Sequence, residues 1–242
     1  MERTKYILIT FLVSFCVSVF GQTNTKIYKA YIHGNMVAWK THMDSYKANT
    51  NEQKMNLVNY QYGYIAYCID QDKDDEAEKY LAKAETLLAE LEKQQYEISM
   101  VNAYKSAFIG FKIGLSPYKA PFIGQASLDF AKKSVAQDGR NYFGYVQLGN
   151  IAFYTPAIFG GSKEDAMKHY LKALELLDKN HASLNDNWNY LNLLATIINA
   201  YYEIGNYEKA KQYCIKTLAI ESNFDWVKNV LYPKTLKKTE NE

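Results

Sequence analysis

Cysteine, proline, histidine and net charge are all scarce in this 242-residue chain, and each scarcity removes a class of protein. Three cysteines, Cys16, Cys68 and Cys214, are too few for a disulfide-stapled scaffold, and none forms a C-x-x-C pair. Only four prolines occur, and no proline-, glycine- or serine-rich stretch acts as a linker. One sizeable helical core or a short solenoid is therefore expected, not several independent domains. The histidines, His33, His42, His169 and His181, are scattered, with no pair at the i, i+4 spacing that sets two imidazoles on one metal. A formal net charge of +2 lacks the basic excess that phosphate binding needs, which argues against a nucleic-acid partner. A glycine-rich phosphate cradle and a G-x-S-x-G nucleophile turn are also missing. The chain reads as a non-enzyme that requires no cofactor.

The one long apolar run stands at the start. Arg3 and Lys5 precede an uncharged stretch from Tyr6 to Phe20, and Val19 and Gly21 lie three and one before a plausible cut ahead of Gln22. This is the pattern of a signal peptide, residues 1–21. The run is too short to span a bilayer comfortably, which takes ~20 apolar residues. Bulky Phe15 stands before Cys16, where a lipoprotein signal wants a small residue. The expectation is an exported protein of a bacterial periplasm or cell envelope, its mature part, residues 22–242, having no integral membrane segment.

Amphipathic helices fill that mature part, and they come in pairs. Thr50 with Gln53 is a capping box for a helix to about Asp70, and its partner runs from Asp74 to about Glu92. Helices over 97–115 and 120–137 follow, broken apart by Ser116-Pro117, then helices over 142–154 and 163–178. In the last pair, LNLLATIINAYYEIG and NYEKAKQYCIKTLAIE meet at Gly205-Asn206, a left-handed helix end followed by an N-cap. The units span about 50–94, 97–138, 141–179 and 187–222, with a short C-terminal tail. Ahead of them, one helix over 26–47, interrupted at His33-Gly34, is expected to cover the exposed end of the array. Asp70, Asp72, Asp74, Asp75 and Glu76 open like a calcium loop, but Asp75 stands where glycine is required and Leu81 where glutamate is, so helix capping is the better account.

Through Leu194, Ile197, Tyr201, Gly205, Tyr207, Ala210 and Leu218 the last pair resembles a tetratricopeptide repeat, a ~34-residue helical hairpin. The resemblance implies an all-α fold, a right-handed superhelix (solenoid) of about four antiparallel hairpins plus an N-terminal helix, with first helices lining a concave groove. In such a stack distant repeats touch only their neighbours, so Cys68 and Cys214 are expected to be buried thiols although an oxidising compartment permits a disulfide.

The third unit departs from the pattern. Gly149 and Ala166 stand some five residues further apart than the family's usual spacing of about 12, because Thr155-Pro156-Ala157-Ile158-Phe159-Gly160-Gly161 is inserted. Over Tyr142 to Leu177 this turn is similar to one in exported bacterial tetratricopeptide-like proteins, including the T component that accompanies some substrate-binding transporters. That resemblance implies carrying or passing on a ligand. Either the inserted turn contacts that ligand, or Phe159 tucks into the neighbouring repeat and the glycines serve the bend.

Two functional readings follow. In the first, the chain is an adaptor whose groove, lined by Val146, Asn150 and Phe153 and by Ala195, Asn199 and Tyr202, accepts a protein or peptide partner. Asn150 and Asn199 match the asparagine of the family's carboxylate clamp, but Val146 and Ala195 replace its lysine. In the second, a small apolar ligand is held near the turn by Phe153, Tyr154, Pro156 and Phe159. Lys234, Lys237 and Lys238 read as a solvated tail or as a contact for an anionic membrane surface.

Overall fold

The computed structural model describes residues 24–179 and 186–240, so the proposed signal peptide lies outside the described residues. Within them the fold is all-α. Helices α1 (24–32) and α2 (Met36–Asp44) lead into α3 (Asn51–Asp70) and α4 (Asp74–Lys93), α5 (Ile98–Leu115) and α6 (Ala120–Gln137), α7 (Tyr142–Tyr154) and α8 (Lys163–Asp178), and α9 (Trp188–Glu203) and α10 (Tyr207–Ile220). Each of these last four pairs packs as a hairpin, and successive hairpins pack on one another.

The ends of the helices follow from local chemistry. The Gln53 amide donates to Thr50 Oγ1 at 3.2 Å while the Thr50 amide donates to Gln53 Oε1 at 3.0 Å, the reciprocal capping box expected of this spacing. Asn206 accepts from the Lys209 amide at 3.1 Å just after Gly205 turns left-handed at φ +79°. Asp74, Asp75 and Glu76 occupy the first turn of α4, where the helix dipole favours negative charge. Glu76 reaches Lys40 of α2 at 2.6 Å, and this partner holds its carboxyl below the usual range.

Two features depart from the sequence expectation. The N-terminal helices do not cover one end of the array; they bridge its first and last hairpins. Trp39 of α2 donates from Nε1 to the Tyr60 carbonyl of α3 at 3.1 Å, and its ring lies 5.0 Å from that of Trp188 at the start of α9. Tyr31 of α1 packs 5.5 Å from Trp188 and 5.2 Å from Phe224, and its hydroxyl donates to Asn192 at 2.9 Å. Tyr28 donates to Glu221 at 2.9 Å, 193 residues along the chain. Burying rings of this size takes neighbours on several sides, and the first and last hairpins together supply them. Distant units therefore do touch.

The second departure is the C-terminus, which is helical instead of a frayed tail. A π-type turn over Val227–Leu231 runs into α11 (Tyr232–Thr239), with Phe224, Val227, Leu231 and Thr235 buried at helical spacing against α10.

Both described cysteines are free and buried. Burial pushes the Cys214 thiol up to about 11, a hydrogen bond with Thr235 only partly opposing it. Thiolate is the reactive form, so Cys68 and Cys214 are expected to stay silent toward Ellman's reagent in native protein at pH 8 and to react once urea unfolds the chain. Rapid labelling of either under native conditions would contradict this packing.

Candidate functional site

The site is built on the second half of α7 and the turn that follows it. Asn141 starts the helix by accepting from the Phe143 and Gly144 amides at 3.0 and 3.2 Å, and its own amide donates to Ser99 of α5 and Ser134 of α6 at 2.8 and 3.0 Å. One residue thus sets α7 against the preceding hairpin. At the other end, Gly149 lies under the Tyr170 ring of α8; a Cβ there would come 2.5 Å from that ring, so only glycine allows the approach.

Tyr170 in this position donates to Asn150 Oδ1 at 2.9 Å, and the Asn150 amide approaches Gln147 Oε1 at 3.4 Å. Gln147 is 3% exposed, and its Nε2 faces the Tyr62 hydroxyl of α3 outside good hydrogen-bond geometry. Tyr62 of α3 faces the same group: burial pushes its hydroxyl up to about 12, while the Gln147 and Asn150 amides pull it back. The Tyr170 hydroxyl is also raised, first by burial and then by the neighbouring Tyr154 and Tyr62 hydroxyls. All three phenols stay neutral donors at physiological pH.

Beyond Tyr154 the inserted turn is held by its own backbone. The Phe159 amide donates to the Pro156 carbonyl at 2.9 Å, Gly160 to Ala157 at 3.0 Å, Gly161 to Pro156 at 3.2 Å and Ser162 to Ala152 at 2.9 Å. Ser162 then caps α8 by accepting from the Asp165 amide at 3.1 Å. A turn so fully bonded keeps its side chains in place, and those side chains point outward. Tyr154, Ile158 and Phe159 are 77%, 85% and 75% exposed, so Phe159 does not tuck into a neighbouring repeat. Phe153 is half-buried beneath Lys163, whose Nζ stands 5.4 Å from the ring centre.

Of the residues expected from sequence, Asn150, Phe153, Tyr154, Pro156 and Phe159 come together on this one stretch. Asn199 and Tyr202 sit half-buried on α9, whose end is tied to the start of α8 by the Lys163–Glu203 pair at 3.8 Å. Tyr202 is covered by Lys234 of α11, 3.9 Å from the ring centre. Val146 and Ala195 are buried in the core and do not line an open groove. Gln147, Tyr62 and Lys163 were not legible as site residues. Gln147 stands three positions before Asn150 on one helical face, which is a signal, but nothing local marks it as facing Tyr62.

Away from this stretch, a concavity of about 710 Å³ opens between α8, α9 and α10, lined by Leu171, Leu174, Tyr190, Tyr213, Asp178 and Lys216. Its polar groups satisfy one another: Tyr190 donates to Asp178 at 2.7 Å and Lys216 approaches the same carboxylate at 3.4 Å.

No family model matches the sequence. No curated protein matches it either. Among solved structures, the chain is similar to the HusA haemophore from Porphyromonas gingivalis, with a TM-score of 0.61 and 15% identity over 77% of this chain and 93% of that one. At that identity the likeness is one of fold.

Proposed function

We propose that this chain is an exported, non-enzymatic binding protein of the bacterial cell envelope, built on a tetratricopeptide-like scaffold, whose cargo is a flat apolar molecule of the porphyrin class held against the 154–159 turn. The observation that carries this reading is the outward projection of Tyr154, Ile158 and Phe159 from a turn that its backbone bonds hold rigid. Apolar side chains gathered in this way mark a surface that something covers. Haem suits the chemistry: an apolar ring face for Phe159 and Tyr154, and carboxylates for Lys163. The fold shared with a haemophore supports the same class of cargo. A peptide lying along the whole concave side has less support, because Tyr31 and Trp39 pack there between the first and last hairpins.

The test is a haem titration of the purified protein followed in the Soret band. Saturable binding is expected, and Phe159→Asp is expected to weaken it at least tenfold, roughly 1.4 kcal/mol, without altering the melting temperature. A wild type that gives no saturable spectral change, or a variant that binds as well as wild type, would sink the assignment.

A further inference from the structure

The exposed apolar side chains of the inserted turn are not alone on their edge of the molecule. The turn between α5 and α6 projects Tyr118, and the first turn of α6 projects Phe122, 73% and 82% exposed. Both turns stand at one level. Tyr104 of α5 and Phe143 of α7 pack ring to ring at 4.6 Å, and each lies the same number of residues before the end of its helix. Tyr62 fixes the two helices as parallel: it touches Tyr104 and Phe143 on one side, and Phe111 and the Asn150 and Gln147 amides further along. The two turns therefore rise together, roughly 16 Å beyond the paired rings at 1.5 Å per residue.

Each turn also places a lysine at an aromatic ring. Lys119 Nζ stands 5.9 Å from the Tyr118 ring centre, and Lys163 takes the equivalent place over Phe153. On the adjoining turn between α9 and α10, Lys234 and Lys238 of α11 lie over Tyr202 and Tyr207. Of the acidic groups beside these turns, Asp165 pairs with Lys168 at 2.7 Å and Glu203 with Lys163, while Glu164 accepts from the Ser162 hydroxyl at 3.4 Å. The acidic turn between α3 and α4 closes the far end of the edge, where the Ile69 side chain lies beside Gly114 of α5.

We propose that in the cargo-free protein this edge docks on a lipid bilayer carrying anionic headgroups, with Tyr118, Phe122, Ile158 and Phe159 entering the interfacial layer and Lys119 meeting phosphates. Lysine is depleted from protein–protein interfaces, whereas an apolar tip flanked by a lysine is the pattern of a membrane interface. The tips are separate projections on short turns, which a soft interfacial phase accommodates more readily than a shaped protein surface. The acidic turn at one end tilts the molecule so that the lysine-bearing turns approach first. This inference goes beyond the cargo reading and does not depend on it, because Tyr118 and Phe122 lie on another hairpin.

Flotation of the exported, cargo-free protein with phosphatidylglycerol-containing vesicles tests it. The wild type is expected to float with these and at least fivefold less with pure phosphatidylcholine. The pair Tyr118→Ser and Phe122→Ser is expected to cut flotation at least tenfold while haem titration stays as in wild type. Phe122→Trp should give a blue-shifted emission with the anionic vesicles. A wild type that stays in the bottom fraction with both vesicle types overturns the proposal, as does flotation that the serine pair leaves unchanged. A concentration-dependent dimer abolished by the same pair, without flotation, would assign the edge to a second copy instead. Failure of haem binding alone leaves the vesicle result standing.

Discussion

Trp188→Ala is expected to lower the unfolding free energy by about 3–5 kcal/mol, the range for truncating a large buried aromatic. Trp188 is 2% exposed, and its ring meets Trp39 at 5.0 Å, Tyr31 at 5.5 Å and Tyr62 at 6.4 Å. Those three belong to α2, α1 and α3, so the truncation empties the point where the chain's two ends meet. In a domain of this size the melting temperature should fall by roughly 6–20 °C, at about 2–4 °C per kcal/mol. Urea unfolding followed by circular dichroism measures it, and a loss under about 1 kcal/mol would mean that the two ends are not held as described. Trp188→Phe is the informative companion. Its Nε1 is buried without a hydrogen-bond partner, so phenylalanine keeps much of the packing and removes an unmatched donor. It should cost well under half as much as alanine.

Gly161→Ala is expected to open the inserted turn. A Cβ at Gly161 would lie 1.7 Å from the Thr155 carbonyl oxygen and 2.6 Å from its carbon, which are backbone atoms that no rotamer change can move. The chain must swing away and lose the Gly161–Pro156 and Ser162–Ala152 hydrogen bonds. Overpacking together with two lost bonds puts the cost at about 1–3 kcal/mol. Hydrogen exchange read on a peptide covering 152–163 should show protection falling in the variant while the α3–α4 hairpin stays protected. Gly160 provides the contrast. Its φ is +89° with no atom within 4 Å of a Cβ, so Gly160→Asn should be tolerated at about 1 kcal/mol or less, asparagine being among the residues that accept this conformation. If both substitutions behave alike, the turn is not the bonded unit described.

Much of the architecture could be read without coordinates because its determinants are local. Thr50 with Gln53, Gly205 with Asn206, and Ser162 ahead of α8 announce helix ends through groups at most a few residues apart. The spacing of Ala166, Tyr170, Ala173 and Leu174 marks the buried face of α8 in the same way. The C-terminal helix was missed for a local reason too. Phe224, Val227, Leu231 and Thr235 carry the right period, but Pro233 breaks the run and the lysines around it give the look of a solvated tail.

The candidate site divides along the same line. The five-residue excess in the third unit pointed to residues 155–161, and Phe153, Tyr154, Pro156 and Phe159 do stand together there. That Phe159 faces water, that the Gln147 amide meets Tyr62 of a distant helix, and that Tyr118 and Phe122 share the same edge depend on which helices run parallel and end at one level. No spacing within a single helix encodes that.

By itself, then, the sequence determined the helices, their caps, their pairing into hairpins and the position of the inserted turn, because each rests on hydrogen bonds and periodicities within some forty residues. Only the tertiary structure decided that α1 and α2 lie between the first and last hairpins, where Tyr28 and Tyr31 bond to partners 193 and 161 residues away. The physical reason is that burial is satisfied by any apolar neighbour. A tryptophan at position 39 states that it must leave water, but not which distant ring will receive it.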